Sequence, residues 1–232
     1  MIRGSMDFNG ILLIDKPAGV TSFGVVARVR RVLSEAAGKR VKVGHTGTLD
    51  PFATGLMIIV VGEYCKRAGE FSKLGKSYAA TFRLGWVSST GDPEGELKEV
   101  GDRRPGEGEV REALGNFIGD IEQTPPSYSA IKIGGVRAYK LAREGKEMEM
   151  PKRIVTVSRL ELMKYEYPDV LVDCDVSSGT YIRSLAEDVG MVLETGAYCY
   201  ALRRTRVGKY DIGQATGLDE FMRGEHVYTQ QN

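Results

Sequence analysis

Residues 44–55 read Gly44-His45-Thr46-Gly47-Thr48-Leu49-Asp50-Pro51-Phe52-Ala53-Thr54-Gly55 and lie between two apolar runs. Val41 to Val43 leads in, and Leu56 to Val61 leads out as a short apolar strand. The segment between them is a glycine-rich loop, and functional side chains concentrate on such loops. Its three glycines permit close backbone approach to a ligand, while one carboxylate, one imidazole and three threonine hydroxyls crowd into the same turn. Asp50 is the natural candidate for chemistry. An aspartate before proline also serves plain turns, and both readings stand on these residues alone. His45 suits base stacking or proton transfer as well as an ordinary hydrogen-bonding role.

Upstream of the loop, Asn9 to Asp15 (NGILLID) predicts a buried strand ended by the turn Lys16-Pro17-Ala18-Gly19. A helix follows, capped by Thr21 or Ser22, with Val25, Val26, Val29, Val32, Leu33 and Ala36 on one face until Gly38 stops it. Downstream, the pattern predicts a helix over 63–72, a strand over 76–84 and an acidic surface loop over 88–108. A short helix near 109–117 precedes Thr124-Pro125-Pro126, which cannot continue it. Residues 136–150 read as a basic amphipathic helix within an insertion. Strands over 153–165 and 169–176, a helix over 181–194 and a strand over 198–207 complete the core. No repeat or low-complexity linker interrupts this order, so one continuous α+β domain is expected.

A second cluster is Ser177-Ser178-Gly179-Thr180-Tyr181-Ile182-Arg183, at a strand-to-helix turn. Arg183 sits near the helix start, the wrong end of the dipole for a cation, and so needs a carboxylate or phosphate partner. Were that partner Asp50, the ion pair would keep the carboxylate charged and aimed, as a nucleophile requires. Gly75-Lys76-Ser77 has the ending of a phosphate-binding loop, but Glu70 stands where the first glycine belongs and a strand follows. Nucleotide hydrolysis is rejected. An aspartyl-phosphate mechanism at Asp50 is a poor third, because no second acidic cluster offers a magnesium site.

Composition sets outer bounds. The 232 residues are 42% hydrophobic and 27% charged, values of an ordinary globular protein rather than a disordered or fibrous one. No apolar run approaches the ~18 residues of a membrane span and no signal peptide heads the chain, so a cytoplasmic protein is expected. Three cysteines and two histidines, without paired spacing, predict neither a metal site nor a disulfide framework. The net charge of +1 conceals a polarised distribution. Residues 28–42 carry six basic side chains against Glu35, residues 66–83 carry five against Glu70, and ten carboxylates lie between Asp92 and Glu122. Such polarity suits a polyanionic partner, although solvated surface faces produce it too.

Taken together, Gly10-Ile11-Leu12-Leu13-Ile14-Asp15-Lys16-Pro17, the loop 44–55, Lys76-Ser77-Tyr78, Gly179-Thr180-Tyr181-Ile182-Arg183 and Leu202-Arg203-Arg204 closely resemble the TruB family of tRNA pseudouridine synthases, over roughly residues 8–220. The resemblance implies a pseudouridine synthase fold, α+β with a mixed, largely antiparallel central sheet flanked by helices and loops. It implies a catalytic domain over 8–220, with an RNA-covering insertion at about 125–150. A short tail over 221–232 is expected in place of the PUA-type domain that bacterial members carry. The implied activity is isomerisation of the uridine at conventional position 55 of the tRNA T loop, without cofactor, nucleotide or metal. By the same resemblance Asp50 is the nucleophile, at C1′ or by a glycal route. Tyr78 stacks on the target base and Arg183 pairs with the aspartate. Tyr181 and Leu202 line the uracil pocket, Lys16 supports the catalytic loop, and His45 fills the place vacated by the flipped base. Thr46, Gly47, Lys152 and Arg153 join the RNA-binding set, with basic segments 28–42, 137–153 and 203–209 following the T-arm backbone. A monomer is expected, with the T stem-loop of tRNA as its partner. The alternative is a non-catalytic tRNA-binding or tRNA-folding module of the same fold.

Overall fold

The computed structural model describes residues 8–146 and 148–224; most of the tail expected over 221–232 lies outside them. In chain order the first elements are β1 (Gly10–Lys16), α1 (Ser22–Ala37), β2 (Val43–His45), β3 (Thr54–Val61), α2 (Ala68–Ser72) and β4 (Lys76–Leu84). Next come β5 (Trp86–Ser88), β6 (Leu97–Glu99), α3 (Glu107–Gly115), β7 (Gly119–Gln123), β8 (Lys132–Ile133), β9 (Val136–Arg137) and α4 (Ala138–Arg143). The last are β10 (Arg153–Glu166), β11 (Asp169–Val176), α5 (Ile182–Val192), β12 (Ala197–Val207), β13 (Tyr210–Asp211), β14 (Thr216–Gly217) and α6 (Leu218–Arg223). The described residues divide into two compact units, one formed by residues 8–76 and 203–224, the other lying within residues 77–202.

In the first unit β3 is the central strand, and its apolar run is buried from Gly55 to Val61. It pairs antiparallel with β1 from Lys16↔Gly55 to Gly10↔Val61 and with β2 at Val43↔Val61, and runs parallel to β12 at Arg203↔Thr54 and Arg204↔Gly55. β14 adds a parallel edge to β1. The core on one side gathers Ile11, Leu56, Ile58, Val60, Phe71, Val207 and Tyr210. Of the face its spacing predicts, helix α1 buries Val25, Val26, Val29 and Leu33, while Val32 is half-buried and Ala36 exposed, and the Thr21 hydroxyl accepts the Gly24 N–H at 2.9 Å.

In the second unit the strand order is β12, β4, β11, β10, β7. β10 and β11 form a long antiparallel hairpin, and β7 pairs antiparallel with the start of β10, placing Gln123 opposite Arg153. α5 buries Ile182, Leu185, Ala186 and Val189. The expected mixed sheet with flanking helices is present, with parallel pairing at β1–β14 and β3–β12.

Three local expectations need correction. The helix predicted over 136–150 shrinks to α4, because Gly134 and Gly135 take positive φ (57° and 86°) and close a β8–β9 hairpin that claims Val136 and Arg137. The acidic stretch 88–108 is not wholly a loop, since β5 and β6 pair from Trp86↔Glu99 to Ser88↔Leu97. Strand β7 goes unpredicted, because Asp120 and Glu122 face solvent on either side of Ile121 and hide a two-residue alternation.

Gly55 shows how tightly the first unit is threaded. Its φ is +108°, and a Cβ there would stand 2.3 Å from the Arg204 carbonyl oxygen and 2.7 Å from the Arg204 nitrogen. The close approach foreseen for this glycine is therefore made by the chain's own strand β12. Gly55→Ala is expected to lower stability by about 3 kcal/mol or more, read as a fall in the urea midpoint; a change below ~1 kcal/mol would contradict the packing.

Candidate active site

Residues proposed from sequence fall in both units. The first unit holds Lys16, His45, Thr46, Gly47 and Asp50; the second holds Tyr78, Lys152, Arg153, Tyr181, Arg183 and Leu202. Among the described residues no group of three or more His, Cys, Asp or Glu is arranged to hold a metal, and no helix is long and apolar enough to cross a membrane.

In the first unit the loop 44–55 is held by side chains that arrive from outside it. Lys16 is fully buried, and its ammonium donates to the carbonyls of Pro17 (2.9 Å), Val20 (2.8 Å) and Pro51 (3.1 Å). The Gly19 N–H donates to the same Pro51 oxygen at 2.8 Å. Ser22, at the start of α1, exchanges two hydrogen bonds with Leu49, its hydroxyl donating to the carbonyl and accepting the N–H, both at 2.8 Å. Arg204, from β12, donates to the carbonyls of Leu56 (2.7 Å), Gly47 (3.2 Å) and Thr48 (3.3 Å). Thr46 is buried, with its N–H and its hydroxyl both directed to the Ile58 carbonyl. Asp50 is half-buried, its carbonyl accepting the Ala53 N–H at 3.2 Å. The loop that carries the candidate nucleophile is thus fixed on both sides of it, at Leu49 and at Pro51.

This geometry corrects the expectation for 203–209 at its first two arginines only, since Arg206 and Lys209 are exposed. Arg204 is buried, and Arg203 forms a two-pronged ion pair with Asp15 (3.2 and 2.7 Å). Sequence analysis also passed over the role of Ser22 beyond helix capping. Lys76 is a further cation turned inward. Its ammonium donates to the Ser72 and Leu74 carbonyls, while burial and then the nearby Arg204 charge push its pKa down to about 8.

In the second unit Arg183 occupies the first turn of α5 and is 3% exposed. One guanidinium nitrogen donates to the Thr90 carbonyl (2.7 Å) and to the Asp92 carboxylate (3.1 Å); the other donates to the Tyr128 carbonyl (2.8 Å). Asp92 is a carboxylate partner that sequence analysis did not name. Its other oxygen accepts the Thr90 hydroxyl (2.6 Å) and the Glu94 N–H (3.0 Å), so it is itself aimed. Asp92-Pro93 repeats the Asp-Pro pairing of Asp50-Pro51, the one local signal that could have drawn attention to it. Behind this pair lies Glu187, packed against Gly91. Its pKa is pushed up to about 7, first by burial and then by Asp188 and Asp92, against the lowering effect of Arg183.

Tyr181 immediately precedes α5, and its backbone is gripped by the buried Gln123. Tyr78 is buried on β4 and Leu202 on β12. Lys152 is exposed and paired with Glu122 at 2.7 Å.

Comparison with known proteins defines the class as pseudouridylate synthase. Residues 30–182 match the TruB family pseudouridylate synthase N-terminal domain, and residues 183–232 match the tRNA pseudouridylate synthase B C-terminal domain. The chain belongs to the TruB family. It is 46% identical over 216 residues to tRNA pseudouridine synthase B of Mycobacterium avium (strain 104), covering 91% of this chain and 68% of that protein. It is 45% identical to the Mycobacterium tuberculosis protein of that name, covering 91% of this chain and 71% of that protein. Among solved structures it is similar to a chain of a Cbf5–Nop10–Gar1 complex, with TM-score 0.71, 29% identity and 92% of this chain covered. It is also similar to a chain of an H/ACA ribonucleoprotein bound to a substrate RNA containing 2′-deoxyuridine, with TM-score 0.67, 26% identity and 95% covered. The chain spans just over half the length of those solved chains, 54% and 56%.

Glu187 makes the second unit sensitive to pH. Its carboxyl stays protonated in the fold up to about pH 7, whereas the unfolded chain ionises near 4.5. The stability this adds is complete below 4.5 and lost as pH rises through 7. Glu187→Gln removes the dependence, so between pH 5 and pH 8 the variant should gain roughly 2–3 kcal/mol relative to the parent chain. Urea unfolding across that range checks it; parallel curves for the two proteins would refute it.

Proposed function

We propose that this chain isomerises the uridine at conventional position 55 of the tRNA T loop to pseudouridine, with Asp50 as the nucleophile. The observation that carries the assignment is the braced loop 44–55, in which Lys16, Ser22 and Arg204 hold the backbone on both sides of a single carboxylate, in a chain of the TruB family. A nucleophile held this way loses little freedom on reaching the reacting centre.

The target base must leave the folded T loop before its glycosidic bond can be reached, and stacking and phosphate contacts offset that cost. Tyr78 stacks on the extruded base, Tyr181 and Leu202 wall the uracil, and His45 occupies the place the base has left. The N1–C1′ bond then breaks. Asp50 either bonds to C1′ or removes the C2′ proton to give a glycal, and by the family resemblance Arg183 is the residue that keeps its carboxylate charged and oriented. The uracil turns and C5 bonds to C1′ as the Asp50–C1′ ester bond breaks or, by the glycal route, as the proton held by Asp50 returns to C2′; C5 then gives up its proton and N1 gains one. Atoms and electrons balance within the nucleotide, so the reaction calls for neither redox partner nor hydrolysis.

A T stem-loop carrying tritium at C5 of the target uridine tests this, because rejoining at C5 must release the label. The parent chain should release it in a single turnover, while Asp50→Asn should release none yet bind the hairpin within a few-fold. Binding by the parent chain without release would support a tRNA-binding or tRNA-folding module instead, and appreciable release by Asp50→Asn would overturn the role of Asp50.

A further inference from the structure

The β7–β10 register sets Gln123 directly opposite Arg153, and both side chains reach the same residue, Tyr181. Gln123 is 1% exposed and acts on the backbone. Its amide nitrogen donates to the Tyr181 carbonyl at 2.9 Å, and its amide oxygen accepts the Tyr181 N–H at 2.7 Å. Both backbone groups of the residue that leads into α5 are therefore bound by one side chain, while the same carbonyl also accepts the Leu185 N–H of the first helical turn at 3.1 Å.

Arg153 acts on the ring. Its guanidinium carbon lies 4.8 Å from the centre of the Tyr181 ring, within the range of a cation–π contact. Its Nε and Nη2 are buried and meet no hydrogen-bond acceptor among the described residues. A guanidinium placed for ion pairing or phosphate binding would keep those N–H groups matched or open to water, since burying them unmatched is unfavourable. What the position provides instead is a planar cation over an aromatic ring; a lysine ammonium could supply the charge there but not the plane. The neighbouring Lys152 shows the contrast, since its ammonium points outward to Glu122.

We propose that Arg153 is a positioning residue rather than a phosphate contact: with Gln123 fixing the Tyr181 backbone, the Arg153 guanidinium fixes its ring before RNA arrives. The role rests on the assignment of Tyr181 to the uracil pocket, and it assigns to Arg153 a task different from the RNA contact that the resemblance implies.

Two substitutions test it. Arg153→Lys keeps the charge but not the plane; Arg153→Met keeps the stem but not the charge, and the lysine variant alone decides the matter if the methionine variant fails to fold. Both should slow single-turnover tritium release from the T stem-loop about tenfold, with affinity within ~3-fold and the slope of log affinity against log salt unchanged. In a Tyr181→Leu background neither should slow the reaction further, because a residue that acts through Tyr181 has nothing left to act on. In the protein without RNA, the Tyr181 ring resonance of a tyrosine-labelled sample should move in both variants. That readout stands even if the parent chain releases no tritium, an outcome that would count against the proposed function. A lysine variant with parental rate, together with a methionine variant whose salt slope falls by about 0.9, would make Arg153 a phosphate contact and overturn the proposal. An unmoved Tyr181 resonance would overturn it as well.

Discussion

Lys16 and Arg204 are buried cations, and the carbonyls of the 44–55 loop and its flanks take the place of water around them. Moving an isolated ammonium or guanidinium into a dry interior is prohibitive, on the order of tens of kcal/mol, unless hydrogen bonds replace its hydration. A loop without a regular ladder has the opposite problem, carbonyls that must find donors wherever water is excluded. Each bond from Lys16 or Arg204 solves both. The arrangement binds three distant parts of the chain, the end of β1, the loop and β12, into one body. It also explains why β12 must pass so close to Gly55 that no side chain fits there.

The second unit uses a related device with a different counterpart. Arg183 is also deeply buried, and its acceptors again include carbonyls, those of Thr90 and Tyr128, together with the Asp92 carboxylate. The carbonyl bonds tie the loop after β5 and the segment after β7 to the start of α5. The carboxylate answers the unfavourable helix-dipole position of the cation. A fixed charge pair then faces the Glu187 carboxyl, whose protonation responds to pH while the pair itself stays ordered by its neighbours. In both units a buried cation fixes an irregular segment more firmly than loop propensity would.

Local patterns were legible where the physics is local. Strands β4 and β11 follow from alternation, β3 from its apolar run, and α1 from its apolar face, its Thr21 cap and Gly38. The loop 44–55 was legible because carboxylate, imidazole, hydroxyls and glycines crowd into one turn. What was not legible is long-range. Nothing in the run Arg203-Arg204-Thr205-Arg206 distinguishes the arginine that goes inside, because its acceptor Leu56 lies 148 residues away. Asp92 looked like one more charge in an acidic stretch, and its partner is 91 residues away. The hairpin β8–β9 was missed for another reason, since helical spacing of Val136, Tyr139 and Leu141 outweighed a two-glycine turn that takes the first of them into a strand.

A count of basic residues therefore overstates the charge that a polyanion meets. Lys16, Arg183 and Arg204 are spent on carbonyls and a carboxylate inside the fold, Arg203 on Asp15, and Lys152 on Glu122. The cations that remain exposed in the first unit include Arg28 and Arg31 on the outer side of α1, Lys39, Arg40 and Lys42 beyond it, Lys73, and Arg206 and Lys209 at the end of β12. In the second unit they include Lys132, Arg137 and Lys140 around the β8–β9 hairpin and α4. These exposed groups can exchange counterions for phosphates, so they are the ones able to set the salt dependence of RNA binding. The buried cations cannot; they determine where Asp50 and the start of α5 stand. The two kinds of basic residue, indistinguishable in composition, divide the work between attraction and shape.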